Sequence, residues 1–173
     1  MGHVERRPVQ RHNRMICFDD GADRFQMRAA GIALEDGHLL IHRATHEDYW
    51  TLPGGRMEQG ETSADALARE IAEELLVEAD IGGLAVLSES FFGDIGLNFH
   101  EIGFYHSMRL PPGFSRARDR VCHSIVDEVP LEFRWVPATL GSLGDWRVFP
   151  ETLWPFLLDL PVAPVHIIDQ SSR

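Results

Sequence analysis

The sequence contains no lysine, only two cysteines and no long apolar run. All 16 basic residues are arginine, which excludes a catalytic lysine or Schiff base and leaves the recognition of anionic groups to guanidinium side chains. Cys17 and Cys122 are too few for a disulfide framework and lack the spacing of zinc ligands, so we expect a reducing, cytoplasmic compartment. Without about 18 consecutive apolar residues or a signal-peptide pattern, we expect no membrane insertion.

Acidic residues outnumber basic ones by 27 to 16 in the 173-residue chain, which gives a net charge of −11. This charge disfavours a stable complex with nucleic acid or with an anionic membrane. The length and the 44% hydrophobic content fit one globular domain. We expect that domain over residues 15–173, preceded by a polar, flexible arm over residues 1–14 that is rich in arginine.

Hydrophobic patterning alternates between segments typical of strands and segments typical of helices, which indicates an α/β fold. Asp36 and Gly37 predict a hairpin turn. A loop is predicted over residues 49–57, which are interrupted by proline and glycine, and helices are predicted over residues 63–75 and 150–160. Strands are predicted over residues 15–18, 25–34, 38–42, 84–92, 101–108 and 132–136.

The helix predicted over residues 63–75 has one apolar face and one acidic face. Glu70, Glu73 and Glu74 stand at positions i, i+3 and i+4, so three carboxylates share one patch of surface and repel one another. A hard divalent cation such as Mg²⁺ would remove that repulsion, and the backbone carbonyl of Gly54 is a further candidate ligand. On the helix alone, a solvated acidic face explains the pattern equally well.

A longer pattern surrounds these three acids. It reads Gly55, five residues, Glu61, seven residues, and then Arg-Glu-Ile-Ala-Glu-Glu-Leu-Leu-Val from Arg69. This closely resembles the Nudix box, Gly-x5-Glu-x7-Arg-Glu-U-x-Glu-Glu-x-Gly-U, in which U is apolar. Every charged position matches, and the flanking segments 50–54 and 134–136 are also similar to those of many Nudix proteins.

One defined position of the box departs from the family pattern, because Leu76 stands where the family has glycine. That glycine normally ends the helix in a left-handed conformation. We therefore expect the helix either to end differently or to continue toward Asp80 and Gly82. The departure concerns the end of the helix and leaves the acidic residues intact.

The resemblance implies an α/β/α sandwich with a mixed β-sheet and a hydrolase that cleaves a nucleoside diphosphate linked to another moiety. The substrate would be a nucleoside triphosphate, a nucleotide sugar or a dinucleoside polyphosphate, and the cofactor Mg²⁺ or Mn²⁺. Homodimers are common in the family. The competing hypothesis is a catalytically inactive Nudix fold that senses nucleotides or binds RNA, although the box acids are all present.

Position by position, the resemblance implies a metal site and a general base. The metal ligands would be Glu70, Glu73, Glu74 and the Gly54 carbonyl, with Arg69 and Glu61 orienting these carboxylates and sharing in the site. The base would be either Glu70 in the box or an acid in the loop before Trp135. The candidates outside the box are Glu128, which we favour, together with Asp127 and Glu101.

Residues for the rest of the substrate are less constrained by the sequence. Arg28 and Arg43 on the first strands are candidates for phosphate binding, and Trp50 and Phe92 are candidates for stacking on a base. A loop with three further arginines, at positions 116, 118 and 120, is another candidate anion contact. The sequence leaves the identity of the substrate open.

Overall fold

The computed structural model describes residues 15–114, 122–126 and 129–170. The arm predicted over residues 1–14, the loop arginines at 116, 118 and 120, and the candidate bases Asp127 and Glu128 lie outside the described residues. None of the described helices has the length and apolar composition needed to span a bilayer.

The described part of the chain contains ten strands and three α-helices. The strands are β1 Cys17–Asp20, β2 Asp23–Ile32, β3 Leu34–Glu35, β4 His38–Ala44, β5 Gly54–Arg56, β6 Asp80–Asp94, β7 Leu97–Arg109, β8 Cys122–Val126, β9 Val129–Pro137 and β10 Val165–Asp169. The helices are α1 Ser63–Leu75, α2 Leu140–Asp145 and α3 Trp154–Leu158, the last preceded by a 3-10 turn, Glu151–Leu153.

The strands form two sheets. The larger has the order β1-β2-β7-β6-β10, with β5 also paired to β2, and the smaller has the order β3-β4-β9-β8. In the larger sheet, β2 is parallel to β7 and β10 is parallel to β6, whereas β6 and β7 are antiparallel. This confirms the mixed sheet of the predicted α/β fold.

Strand β2 separates two hydrophobic cores, because successive side chains of a strand point to opposite faces. Ala29 packs with Leu67 and Ile71 of α1 in one core, whereas Ala30 packs with Leu39 and other residues of the smaller sheet in the second core. The acidic helix is therefore fixed directly against β2 of the larger sheet.

Helix α1 spans the residues that the sequence predicts. Thr62 caps its N-terminus and forms a capping box with Asp65. The helix ends at Leu75, and Leu76 takes the left-handed conformation itself, with φ 56° and ψ 34°. The expectation that the helix would end differently or run on was wrong, because leucine can adopt this conformation at a cost of about 1–2 kcal/mol.

Other elements differ from the sequence prediction. Strands β6 and β7 are 15 and 13 residues long, well beyond the predicted segments. The loop predicted over residues 49–57 contains β5, which pairs with β2. The helix predicted over residues 150–160 is reduced to the 3-10 turn and α3, while α2 and β10 were not predicted.

Candidate active site

A cleft of about 800 Å³ lies beside the acidic face of α1. Its walls come from α1, from β2 and β5, and from the ends of β6 and β7 that are joined by their hairpin turn. The cleft brings together seven of the predicted site residues, namely Arg28, Gly54, Arg69, Glu70, Glu73, Glu74 and Phe92, and also the candidate acid Glu101. Arg43, Trp50 and Glu61 are not among the residues that line it.

Two glycines allow the backbone of β5 to approach β2 and α1 closely. Gly54 has φ 142°, and a Cβ atom there would stand 2.1 Å from the carbonyl oxygen of Ala29. A Cβ atom on Gly55 would stand 2.3 Å from the carboxyl carbon of Glu70. Any side chain at either position would therefore displace the strand or the Glu70 carboxylate.

Arg69 holds the box acids in place. Its Nε and Nη2 donate to the two oxygens of Glu61 at 3.1 and 2.7 Å, and its Nη1 donates to Glu70 Oε1 at 2.7 Å. The backbone N–H of Glu58 also donates to Glu61. Hydrogen bonding to Arg69 lowers the pKa of Glu61, so this carboxylate stays ionised and positions Arg69. Both Glu61 oxygens are thus engaged outside the cleft.

Glu74 is a buried carboxyl group with an unsatisfied oxygen. The residue is 6% exposed, and its Oε2 has no hydrogen-bond partner within the described residues. Burial, with a further contribution from the charge of Glu70, raises the pKa of Glu74 to about 8. An ionised Glu74 therefore requires a cation to compensate its charge.

His42 does not supply that cation. Burial, reinforced by the charge of Arg28, lowers the pKa of His42 to about 3, so the imidazole is neutral near pH 7. Its Nδ1 lies 3.6 Å from Glu74 Oε2, which is too long for a hydrogen bond, and a neutral ring forms no ion pair. Arg28 Nη2 lies 3.2 Å from Nε2 of the same ring.

The donors in this part of the cleft suit a hard divalent cation. Glu70, Glu73 and Glu74 offer carboxylate oxygens, and the Gly54 carbonyl lies in the same cleft. Burial raises the pKa of Glu70 as well, although its ion pair with Arg69 opposes the shift. Among the described residues, no three acidic, histidine or cysteine side chains already stand together as a complete ligand shell. A divalent cation fits this site because the site offers oxygen donors and because one Glu74 oxygen is unsatisfied.

Arg28 brings positive charge to the same region. Its Nη2 donates to the carbonyl oxygens of Leu52 and Gly54 at 3.2 and 3.0 Å. These bonds hold the guanidinium at the edge of the cleft, where its charge favours the ionised forms of Glu70 and Glu74. Arg28 thus places a positive charge beside the acidic residues of the cleft.

Arg43 and Trp50 support the wall of the cleft from behind. Arg43 donates through Nε and Nη2 to Glu132 and through Nη1 to the Glu47 carbonyl, and its guanidinium lies 4.7 Å from the centre of the Trp50 ring. Trp50 is 3% exposed and packs edge-on against Trp146. The prediction that Trp50 stacks on a base was wrong, because its ring belongs to the hydrophobic core.

Gln26 and His42 are among the residues of the cleft that the sequence reasoning missed. Gln26 could have been found, because side chains two residues apart on a strand share a face and Gln26 stands two residues before Arg28. His42 is brought to Glu74 by the packing of β4 against α1 and leaves no comparable signal.

Comparison with known proteins places this chain among enzymes that hydrolyse phosphoric anhydride bonds. The family profile of the NUDIX domain matches residues 25–150. A putative 8-oxo-dGTP diphosphatase 2 of Mycobacterium tuberculosis is 40% identical over 97 residues, which cover 56% of this chain and 67% of that protein. The chain belongs to the Nudix family.

Two further relatives show the range of the similarity. Human diphosphoinositol polyphosphate phosphohydrolase 2 is 36% identical over 70 residues, which cover 38% of this chain and 39% of that protein. The crystal structure of an ADP-ribose pyrophosphatase from Streptococcus suis has a TM-score of 0.54 at 12% identity, covering 83% of this chain and 98% of that one. At this identity, the structural likeness concerns the fold alone.

Proposed function

We propose that the protein is a Mg²⁺-dependent pyrophosphohydrolase that cleaves a nucleoside diphosphate linked to another moiety. The observation that carries this proposal is the unsatisfied Oε2 of buried Glu74, which lies with Glu70 and Glu73 in a cleft that also contains Arg28. A buried carboxylate oxygen with no hydrogen-bond partner suits a metal ion, and a neighbouring arginine suits a phosphate.

The residues divide into those that hold the metal and those that orient them. Glu70, Glu73, Glu74 and the Gly54 carbonyl would hold Mg²⁺, or Mn²⁺ in its place. The bound ion would neutralise charge on the diphosphate and lower the pKa of the attacking water. Glu61 would act through Arg69, because Arg69 joins it to Glu70.

A carboxylate must also accept the proton of the attacking water. We propose Glu70 for this role, because Arg69 anchors its Oε1 and it lines the cleft. Glu128 stays a second prediction, and it lies outside the described residues.

Among the substrate classes that the sequence leaves open, we favour a nucleoside triphosphate. The relative that is 40% identical is named for such a substrate. The cleft also extends from the acidic end past Arg28 to the aromatic ring of Phe92, which gives separate places for phosphates and for a base. The loop arginines at 116, 118 and 120 lie outside the described residues and are not needed for this proposal.

The test is a turnover assay with Mg²⁺ on nucleoside triphosphates, oxidised nucleotides, nucleotide sugars and dinucleoside polyphosphates. We expect one preferred class, no activity in EDTA, and a loss of at least about 100-fold in kcat for Glu74→Gln. Glu78→Gln is the matched control, because Glu78 is an exposed acid just beyond α1 that does not line the cleft. Full activity of Glu74→Gln would contradict the assignment of the metal site.

A further inference from the structure

The floor of the cleft continues beyond Arg28 in two cross-strand pairs. Gln26 of β2 stands opposite Glu101 of β7, and Phe99 of β7 stands opposite Phe92 of β6. All four line the cleft. Because same-face residues of a strand are about 7 Å apart, the Gln26–Glu101 pair lies one step from Arg28 and the two phenylalanines lie one step further.

The Gln26–Glu101 pair is polar, buried and fixed in orientation. The two residues are 8% and 4% exposed, and Gln26 Nε2 donates to Glu101 Oε2 at 2.5 Å. An amide that faces a carboxylate must present its NH₂ group, because two oxygens would repel each other. Within the described residues, Glu101 Oε1 has no hydrogen bond, and Gln26 retains a second N–H.

The Gln26 N–H group and the two Glu101 oxygens together form a hydrogen-bonding pattern that can distinguish one nucleobase from another. Guanine presents an acceptor, O6, beside two donors, N1–H and the 2-amino group, and thus complements the Gln26 N–H and the Glu101 carboxylate. Adenine and cytosine place a ring-nitrogen acceptor beside their single amino group, and uracil places N3–H between two carbonyl groups. Each of these would turn an acceptor toward Glu101.

Phe92 and Phe99 add an apolar wall next to the polar pair. Their rings are stacked, with centroids 4.8 Å apart and planes inclined by 8°. A base that directs its edge toward Gln26 and Glu101 would turn one face toward these rings, and contact of this kind stabilises a bound base.

We propose that Gln26 and Glu101 read the base-pairing edge of a guanine-type base, while Phe92 and Phe99 pack against its face. This rests on the proposed function, since it assigns a base to the same nucleotide-cleaving site. Arg28, one step along β2, would then contact the phosphates. Glu101 is on this assignment a specificity residue and not the general base.

The test is calorimetric binding of GMP, IMP, XMP and AMP to the protein in EDTA, so that turnover plays no part. IMP lacks the 2-amino group, and XMP has a carbonyl in its place. We expect the wild type to bind GMP at least about tenfold more tightly than each of the others, because one bond to a charged group is lost or reversed. In Glu101→Gln, the preference for GMP over IMP should fall to within about threefold and XMP should gain relative to GMP, since an amide can donate to the carbonyl.

Glu89→Gln is the matched control. Glu89 lies on β6 opposite Ile102, next to Glu101 but on the other face of the sheet, and should leave all four affinities unchanged. Equal binding of the four nucleotides by the wild type would overturn the proposal, as would a preference for GMP that survives in Glu101→Gln. Loss of turnover on every nucleotide in Glu101→Gln, with the preference intact, would assign Glu101 to the chemistry instead. If GMP is preferred but no substrate class of the turnover panel is cleaved, the proposed function fails while the base assignment stands.

Discussion

Single residues in the cleft show how one arginine can serve several acids. Arg69 reaches Glu61 with two nitrogen atoms and Glu70 with a third, and its Nη2 also donates to the carbonyl of Arg56. Such a set of bonds needs a planar fork with several fixed donors, which an ammonium group does not provide. The position of Glu70 therefore depends on the shape of the Arg69 side chain as well as on its charge.

We predict that Arg69→Lys keeps the fold but lowers kcat by about 10–100-fold, because lysine cannot hold Glu61 and Glu70 at the same time. Steady-state kinetics over a Mg²⁺ titration would measure both kcat and the apparent metal affinity. Arg109→Lys is the control, since Arg109 forms an exposed ion pair with Asp80 at 2.7 Å. Wild-type kinetics for Arg69→Lys would show that charge alone suffices.

The site residues that the sequence could predict are those fixed by local spacing. The three acids of α1 share a face because they are three and four residues apart, and the Nudix resemblance adds Arg69 and Gly54. The burial of Trp50, in contrast, depends on its contact with Trp146, almost 100 residues further along the chain. Such contacts leave no periodic signal in the sequence.

At the scale of elements, the C-terminal end of α1 is strained because a leucine occupies the left-handed position that ends the helix. Leu76 adopts a left-handed conformation with φ 56° and is 86% exposed, so its side chain contributes little packing. Its N–H still donates to the carbonyl of Ala72 at 3.2 Å. A residue without a Cβ atom would satisfy the same bond without the steric cost.

We therefore predict that Leu76→Gly raises the free energy of unfolding by about 1 kcal/mol, as measured by urea denaturation. Ala72→Gly is the contrasting variant, because Ala72 is exposed in the regular part of α1 and glycine there should lower the stability by about 1 kcal/mol. If Leu76→Gly destabilises the protein, the cap is not strained in solution.

The length of an element decides whether it could be predicted from the sequence. Helix α1 has 13 residues, an apolar stripe and a capping residue, so periodicity alone defines it. Helix α2 has six residues, two of them glycine, and is held by its Thr139 cap and its packing through Leu143. Strand β10 has five residues and is fixed by parallel pairing to β6. Short elements of this kind depend on tertiary contacts, which a sequence window does not contain.

At the scale of the whole molecule, two buried titratable groups set the pH dependence of stability in opposite directions. The pKa of Glu74 rises from 4.5 to about 8 on folding, so the folded protein binds more protons than the unfolded chain in that interval and stability falls as pH rises. The pKa of His42 falls from 6.5 to about 3, so stability falls as pH drops through that interval. The two slopes offset each other between pH 4.5 and 6.5.

Above pH 6.5 only the Glu74 slope remains. We predict that in EDTA the free energy of unfolding falls by about 1–2 kcal/mol between pH 6.5 and 8, since one proton corresponds to about 1.4 kcal/mol per pH unit. Denaturation of the wild type and of Glu74→Gln at both pH values would isolate this contribution, and the variant should lose the decline. Mg²⁺ should restore the stability of the wild type at pH 8 and not that of Glu74→Gln. Equal pH dependence in the two proteins would show that Glu74 is not buried as described.

Strand β2 has a consequence for how this enzyme can change its specificity over evolution. Its odd-numbered residue Ala29 faces α1 and lies under Gly54, whereas Gln26 and Arg28 face the cleft. One strand thus supports the proposed metal-binding helix with one face and carries the proposed ligand-recognition residues on the other. On this proposal, mutations at position 26 would change which base is bound, while the packing of Ala29 against α1 would stay intact.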